Sequence, residues 1–373
     1  MRRMLRSGLA VVGIVVLLHA AVGLAQTRRE IRIPDIMGYR TLKCDFHMHT
    51  VFSDGLVWPT VRVDEAWQEG LDAIAITDHI EYQPHKQDVP TNHNRPYEIA
   101  LPRAKEMGIL LVKAAEITRE TPPGHFNALF IEDATPLDTK ELLDAMAAAD
   151  KQGAFIWWNH PDWIPDRKGW FEIHTTLYEK KYMRGIEVVN GRSYYPTVHQ
   201  WALDKTLTFL GNSDIHQPAG RENMPVGGHR PMTFVFAKEK TTAAIKDALS
   251  AGRTAIWFEN KVIGRKEYAE ALFKAAVRVT DVQREQKVTR FTLRNRTDLP
   301  IELQCAGKLG PKELSLPANA AARVSINVNV AEKPVELPYV VSNFLTVPEK
   351  GLPVTFVVSA ESAAGVEVRT AGN

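Results

Sequence analysis

Nine side chains able to hold metal ions stand at the boundaries of short apolar runs in this sequence: His47, His49, His79, His125, His160 and His216, with Asp54, Glu116 and Asp214. His47 and His49 follow the run 42–46 directly. Side chains alternate along an extended chain, so residues i and i+2 point the same way and both imidazoles aim at one place beyond the strand end. Asp214 and His216 repeat that spacing after the run 207–210. Asp54 lies in the turn after His49, where Gly55 permits a bend that returns the carboxylate to the same place. Thr77-Asp78-His79, Ala115-Glu116-Ile117-Thr118, Gly124-His125 and Asn159-His160-Pro161 each sit against another run. A lone histidine at a strand end is commonly a hydrogen-bonded structural residue, but six of them with three carboxylates at equivalent boundaries are a metal-binding set. Imidazole and carboxylate together suit zinc, manganese or iron, and nine donors are too many for one ion.

The elements that must carry these residues are short. Apolar runs at 42–46, 73–76, 109–114, 128–131, 154–158, 185–189, 207–210 and 233–236 alternate with helical patterns at 60–69, 138–152, 197–205 and 241–251. Such runs read as buried parallel strands in βα units, and so many units favour a closed or nearly closed α/β barrel with its functional groups at the C-terminal strand ends. After a connecting stretch at 265–276 the pattern becomes alternating and β-rich, at 277–280, 287–295, 300–304, 322–330, 335–341 and 354–360, which predicts a small antiparallel β-sandwich. The last histidine is His229, so metal chemistry belongs to the first unit. The expected layout is a barrel over 40–264 and a β-sandwich accessory domain over 277–373.

The first 25 residues stand outside that layout. Arg2, Arg3 and Arg6 precede the apolar run 9–22, which ends in Gly23-Leu24-Ala25. This predicts a cleaved secretory signal at 1–25, because the run falls short of the ~20 apolar residues of a membrane-spanning helix. The expected mature protein is exported, periplasmic or secreted, with no stable membrane span. Losing three arginines takes the formal charge from +2 to −1, so no basic surface for nucleic acid is evident. Cys44 and Cys305, the two cysteines, fall in different units; no disulfide framework is implied, and Cys44 reads as a small buried hydrophobe.

In order and in motif, residues 41–258 resemble the PHP (polymerase and histidinol phosphatase) superfamily: His-x-His with Ser-Asp-Gly, Thr-Asp-His, the later Glu116, Gly-His, Asn-His-Pro and Ser-Asp-x-His. The resemblance implies a distorted (βα)7 barrel carrying a two- or three-metal phosphoesterase site. It implies that His47, His49, Glu116 and Asp214 hold one ion, that Glu116 bridges to a second held by His125 and His160, and that Asp54, His79 and His216 hold a third. The leader, His229-Arg230-Pro231-Met232-Thr233, Ala251-Gly252-Arg253-Thr254 and the β-module are similar to an exported phosphodiesterase branch. Asn159 stands where many relatives have alanine, which leaves the adjacent ligand intact and puts only its surroundings in question.

The expected activity is therefore hydrolysis of a small-molecule phosphoester, most readily a diester, by a hydroxide bridging the ions. Asp214 is expected to orient or deprotonate that water, and Glu116 to bridge the ions. The alternatives are a phosphomonoesterase of the histidinol-phosphatase type, an ester or carbamate hydrolase, or a non-catalytic periplasmic binding module, the last disfavoured by nine competent donors. Arg192, Arg221 and Arg230 lie beside rim residues and are expected to engage phosphoryl oxygens, with ordinary surface positions as the alternative. Tyr194, Tyr195, Trp163 and Trp170 are candidates for an apolar wall, while at least one of Trp157 and Trp158 reads as core. His85, His93, His174, His199 and His229 are given no ligand role. The partner of the β-module is not determined by its residues.

Overall fold

The computed structural model describes residues 27–221, 228–285, 287–328, 334–359 and 366–370; the expected leader at 1–25 lies outside them. The first strand, β1 (Arg40–Asp45), is followed by α1 (Pro59–Gln68), β2 (Ala73–Ile76), α2 (Arg95–Met107), β3 (Leu110–Ile117), β4 (Phe126–Leu129), α3 (Leu142–Lys151) and β5 (Phe155–Trp158). Then come α4 (Glu172–Glu179), β6 (Met183–Asn190), β7 (Ser193–Tyr194), α5 (Pro196–Asp204), β8 (Thr208–Asn212), β9 (Met232–Ala237), α6 (Thr242–Ser250) and β10 (Thr254–Phe258). The strands lie in the order β10-β9-β1-β2-β3-β4-β5-β6, with β8 paired to β6 on its far side. Thr254 Oγ1 donates to Phe209 O at 2.8 Å, and Gly211 N donates to Thr233 Oγ1 at 3.0 Å, so β8 also meets β10 and β9 and the barrel is nearly closed.

The expected α/β class and distorted (βα)7 barrel are what the chain adopts, but the strands are not all parallel as the apolar runs suggest. β1, β2 and β3 run parallel, as do β5, β6 and β8, while β4 is antiparallel to both its neighbours and β9 to both of its own. An apolar run reports burial on two faces, which a strand of either direction can have. All four residues of β2, β4 and β5 are buried. Trp157 and Trp158 are both core, with Trp158 stacked on the buried His174 at 3.6 Å between centroids. Gly211 is required by close approach: a Cβ there would lie 2.2 Å from Ile256 Cγ2, across the barrel seam.

Three helices are absent from the sequence reading, the short α4 among them. α2 carries Pro96 in its first turn and Pro102 inside it, a composition that reads as a loop, yet it buries Ala100 and Ala104 and ends on Gly108 in the left-handed conformation that favours glycine. The stretch read as a connection is α7 (Lys266–Ala276), whose Tyr268, Ala269, Leu272, Phe273 and Ala276 form one buried stripe. It follows β11 (Lys261–Gly264) and leads into the second unit.

That unit is the expected antiparallel β-sandwich. One sheet is β12 (Val277–Glu285), β13 (Val288–Asn295) and β16 (Ala321–Ile326); the other joins β14 (Ile301–Cys305), β15 (Glu313–Leu316), β17 (Val335–Val347), β18 (Lys350–Val358) and β19 (Val366–Thr370). The two units share a sheet, because β17 pairs in parallel with β11 through Phe344 and Leu345. Asn343 Nδ2 donates to Asn260 O at 2.6 Å across that junction and to Pro300 O at 2.8 Å within the second unit. Cys44 is buried and Cys305 half-buried, both as free thiols. No helix among the described residues is long and apolar enough to cross a membrane.

Candidate metal centre

The ends of β1, β2, β3, β5 and β8, with the start of the antiparallel β4 that carries His125, bring all nine donors of the sequence reading to one mouth of the barrel. At its floor, His47 Nε2 lies 3.1 Å from Glu116 Oε2 and 3.1 Å from Asp214 Oδ1, and His49 Nε2 lies 3.2 Å and 3.0 Å from the same two oxygens. The His47, His49 and Glu116 side chains are wholly buried. The other oxygen of Glu116 faces the opposite way, 2.9 Å from His125 Nδ1 and 3.8 Å from His160 Nε2. Toward solvent, Asp54 Oδ1 lies 3.3 Å from His216 Nε2 and 3.6 Å from both His79 Nε2 and His49 Nδ1. The donors thus grade from a buried floor to a rim where the His216 side chain is 31% exposed. His49 and His79 belong to more than one group: His79 is as well placed for Glu116 and His125 as for Asp54.

Local chemistry fixes these orientations. Glu187 accepts from His47 Nδ1 at 2.8 Å, from the His160 backbone N–H at 2.9 Å, and from Asn190 and Asn212 side-chain amides at 2.9 Å each. With Nδ1 occupied, His47 keeps its Nε2 lone pair for an ion, the usual service of a carboxylate behind a metal-bound histidine. His216 Nδ1 donates to Asp214 O at 2.7 Å, and His79 Nδ1 lies 2.6 Å from Thr118 Oγ1. Asp78 is not a donor to the cluster; it accepts from Thr50 N, Thr50 Oγ1 and Ser53 Oγ at 2.6–2.7 Å and so holds the loop that carries Asp54. Asn159 donates to Glu116 Oε1 at 3.0 Å, which gives the unusual residue before His160 a positioning role on the central carboxylate. The sequence reading missed Glu187, although a single charge inside the apolar run Gly185-Ile186-Glu187-Val188-Val189 was a legible sign.

The electrostatics are those of a site made for cations. Burial alone would lower the His49 imidazole, but the Asp214 and Glu116 carboxylates override it and carry it up to about 10. Burial would raise Glu116 and Asp214, yet His79 and His47 hold Glu116 well below the carboxylate range, and His47 and His49 do the same for Asp214. Ions entering at the floor displace protons from the imidazoles of His47 and His49 rather than from the carboxylates. Two further observations fit metal. His49 Nε2 and Asp214 Oδ1 are buried with no hydrogen-bond partner. At the floor two imidazole nitrogens and two carboxylate oxygens come within 3.0–3.2 Å of one another in each nitrogen–oxygen pair, and His47, His49 and Glu116, like His47, His160 and Asp214, form a group able to share an ion. Asp214 and His160 take positive φ, +52° and +30°, backbone strain of a kind that concentrates at functional sites.

Several sequence expectations are corrected. Arg230 does not face the mouth: it is 1% exposed, pairs with both oxygens of Glu69 at 2.7 and 3.0 Å, and donates to Asp45 at 3.0 Å. Arg192 and Arg221 are exposed and neither lines the mouth cavity. Gly55 is required for a different reason from the one expected, because a Cβ would stand 2.5 Å from the His49 carbonyl. Of the aromatic candidates, Trp170 packs among Trp158, His174 and Trp201, Tyr195 is buried, and Tyr194 bonds His199. Trp163 alone of these lines the cavity. His174, His199 and His229 are buried away from the cluster; His229 lies against backbone carbonyls of Arg230 and Glu259. His93 contacts Gln83 and Asp138 rather than the mouth.

A two-domain protein of Bacteroides vulgatus, described as containing a predicted PHP-like metal-dependent phosphoesterase, is 46% identical to this chain, with a TM-score of 0.86 over 90% of this chain and 100% of its own. A Bifidobacterium adolescentis protein, described as a predicted metal-dependent phosphoesterase, is 16% identical, covering 56% of this chain and 96% of its own with a TM-score of 0.40. An amidohydrolase from Chromobacterium violaceum is 17% identical, covering 48% of this chain and 88% of its own with a TM-score of 0.36. Residues 276–357 match a family model described as an Ig-like domain (DUF5001), the region of the β-sandwich. No curated protein matches the chain.

Proposed function

This chain belongs to the PHP-like metal-dependent phosphoesterases, and from that premise we propose that it is an exported phosphodiesterase working with two or three divalent ions, zinc, manganese or iron, held by its nine clustered side chains. The observation that carries the diester preference is the mouth cavity of about 240 Å³, whose described lining includes His79, His216, Asp214, Asn190 and Trp163 but no Lys or Arg. A monoester brings a second negative charge that ordinarily calls for a guanidinium or ammonium partner, and a diester does not. Bound ions would supply an activated water near neutral pH and neutralise charge on the phosphoryl oxygens.

The chain's own part is positioning and proton handling. Asp214 is fixed through Oδ2 by Asn190 Nδ2 at 3.2 Å, which leaves Oδ1 directed into the floor, where it can orient a water and take its proton. Glu116, held ionised by its imidazole neighbours, presents its two oxygens to two groups of histidines. Glu187 keeps His47 from rotating.

With metal-loaded enzyme, bis(p-nitrophenyl) phosphate is expected to exceed p-nitrophenyl phosphate in kcat/KM by about ten- to a hundredfold, the worth of one missing charge-assisted contact. An aryl carbamate should be a poor substrate. Preference for the monoester or the carbamate overturns the diester reading. Export rests on Arg2, Arg3 and Arg6 ahead of the apolar run 9–22. N-terminal sequencing of protein expressed in a Gram-negative host should find a periplasmic chain beginning near Gln26; a cytoplasmic chain retaining Met1 excludes it.

A further inference from the structure

Trp163 and Tyr82 stand at the mouth in a way that ordinary packing does not account for. Each is 52% exposed. They come from different loops, Tyr82 after β2 and Trp163 after β5, and each sets its ring beside proposed metal ligands. The Tyr82 ring lies 5.9 Å from the His79 ring, and the Trp163 ring lies 5.5 Å from that of His160 and 6.3 Å from that of His125. A turn delivers the indole, with Trp163 N donating to His160 O at 3.2 Å, so its position is coupled to a donor of the cluster. Trp170, by contrast, packs against Trp158 and Trp201, and the exposed Trp58 pairs with Phe52.

The cavity itself is too small to hold much beyond the reacting group. Its volume of about 240 Å³ falls below the ~300–1,000 Å³ of pockets that enclose a whole organic ligand. An ester group of any size must leave over the rim. With no cationic side chain among the described lining residues, what the chain offers such a group is the indole of Trp163, which lines the cavity, with the Tyr82 ring beside His79.

We propose that Trp163, assisted by Tyr82, is a specificity-determining residue that stacks a planar aromatic ring carried on one ester group of the substrate. This rests on the phosphodiesterase reading for the reaction and names the class of diester: one bearing an aryl group or a nucleobase. Stacking a ring on an aromatic side chain is sequence- and substituent-tolerant, so it selects for planarity rather than for one identity.

The test uses ligands that resist hydrolysis, bound to the metal-loaded full chain and measured by calorimetry. Phenylphosphonate places a ring beside phosphorus, adenosine 5′-monophosphorothioate places one beyond a ribose, and methylphosphonate has none. Trp163→Ala should weaken at least one of the two ring-bearing ligands about tenfold while changing methylphosphonate by less than about twofold. The ligand that responds identifies the source of the ring. Trp163→Phe, which keeps an aromatic face, should restore most of the affinity, and Tyr82→Ala should show a smaller loss of the same selectivity. Equal weakening of all three ligands, no weakening of either ring-bearing ligand, or a Trp163→Phe variant as poor as Trp163→Ala overturns the inference. Because these are binding measurements, that outcome leaves the diesterase reading to be decided separately by turnover.

Discussion

Glu116→Gln is expected to lower kcat by about a thousandfold or more, a loss of about 4 kcal/mol of barrier stabilisation, without recovery in excess metal. Its two oxygens face different donors, Oε2 toward His47 and His49 and Oε1 toward His125 and His160. Removing one charge therefore weakens two groups together, and the amide places an N–H against imidazole nitrogens that an ion would otherwise share. Metal analysis of the variant should show a loss from both groups. Asp54→Asn makes the contrast: Asp54 lies at the rim with His216, His79 and His49, so that variant should retain the floor ions and regain part of its activity at high metal concentration. If the two variants lose the same ions in the same proportion, the placement of Glu116 between two groups is wrong.

Arg230→Ala is expected to cost stability rather than substrate affinity, by about 3–5 kcal/mol in denaturant unfolding of the metal-free chain. The guanidinium is buried against Asp45, which is itself wholly buried, and against Glu69 at the end of α1. Burial pushes the Asp45 carboxyl up, and Arg230 is the chief group opposing it. Asp45 also receives the Ser213 N–H at 3.1 Å and the Ser213 hydroxyl at 2.5 Å, so it ties the end of β1, which carries His47, to the end of β8, which carries Asp214. Truncating the arginine leaves a buried carboxylate without its counter-charge. Adding Asp45→Asn to Arg230→Ala should recover part of the loss, since the amide is neutral and can still accept from Ser213. A single variant that unfolds as wild type but shows a raised KM would restore Arg230 to a substrate-binding role.

Both expectations depend on how the chain divides its polar groups between holding ions and holding the barrel. The same segment supplies both: in Asp45-Phe46-His47 the first residue faces the Ser213–Arg230 network and the third faces the metal floor. Period-two alternation would put the two side chains on one side of the strand, yet their partners differ because His47 lies past the end of β1, where the chain has left the sheet.

The sequence by itself determined the donors and their common location. A histidine or carboxylate at the boundary of an apolar run must emerge where a buried strand ends, and repeating that nine times leaves little choice but a shared mouth. It determined the sandwich as well, because alternation with turn residues is a local signal. What only the tertiary structure decided lies in pairings between segments distant along the chain. Strand direction is one case, since β4 and β9 bury both faces whichever way they run. The helix at Lys266–Ala276 is another: its apolar stripe gains stability only by docking beside β11 and β17. Arg230 is the sharpest. Its neighbours in sequence placed it near the rim, but a guanidinium goes where carboxylates wait for it, and Asp45 and Glu69 lie more than 160 residues away along the chain. Local pattern fixes which groups come to the surface of a strand end; long-range charge pairing fixes which of them remain free to meet a substrate.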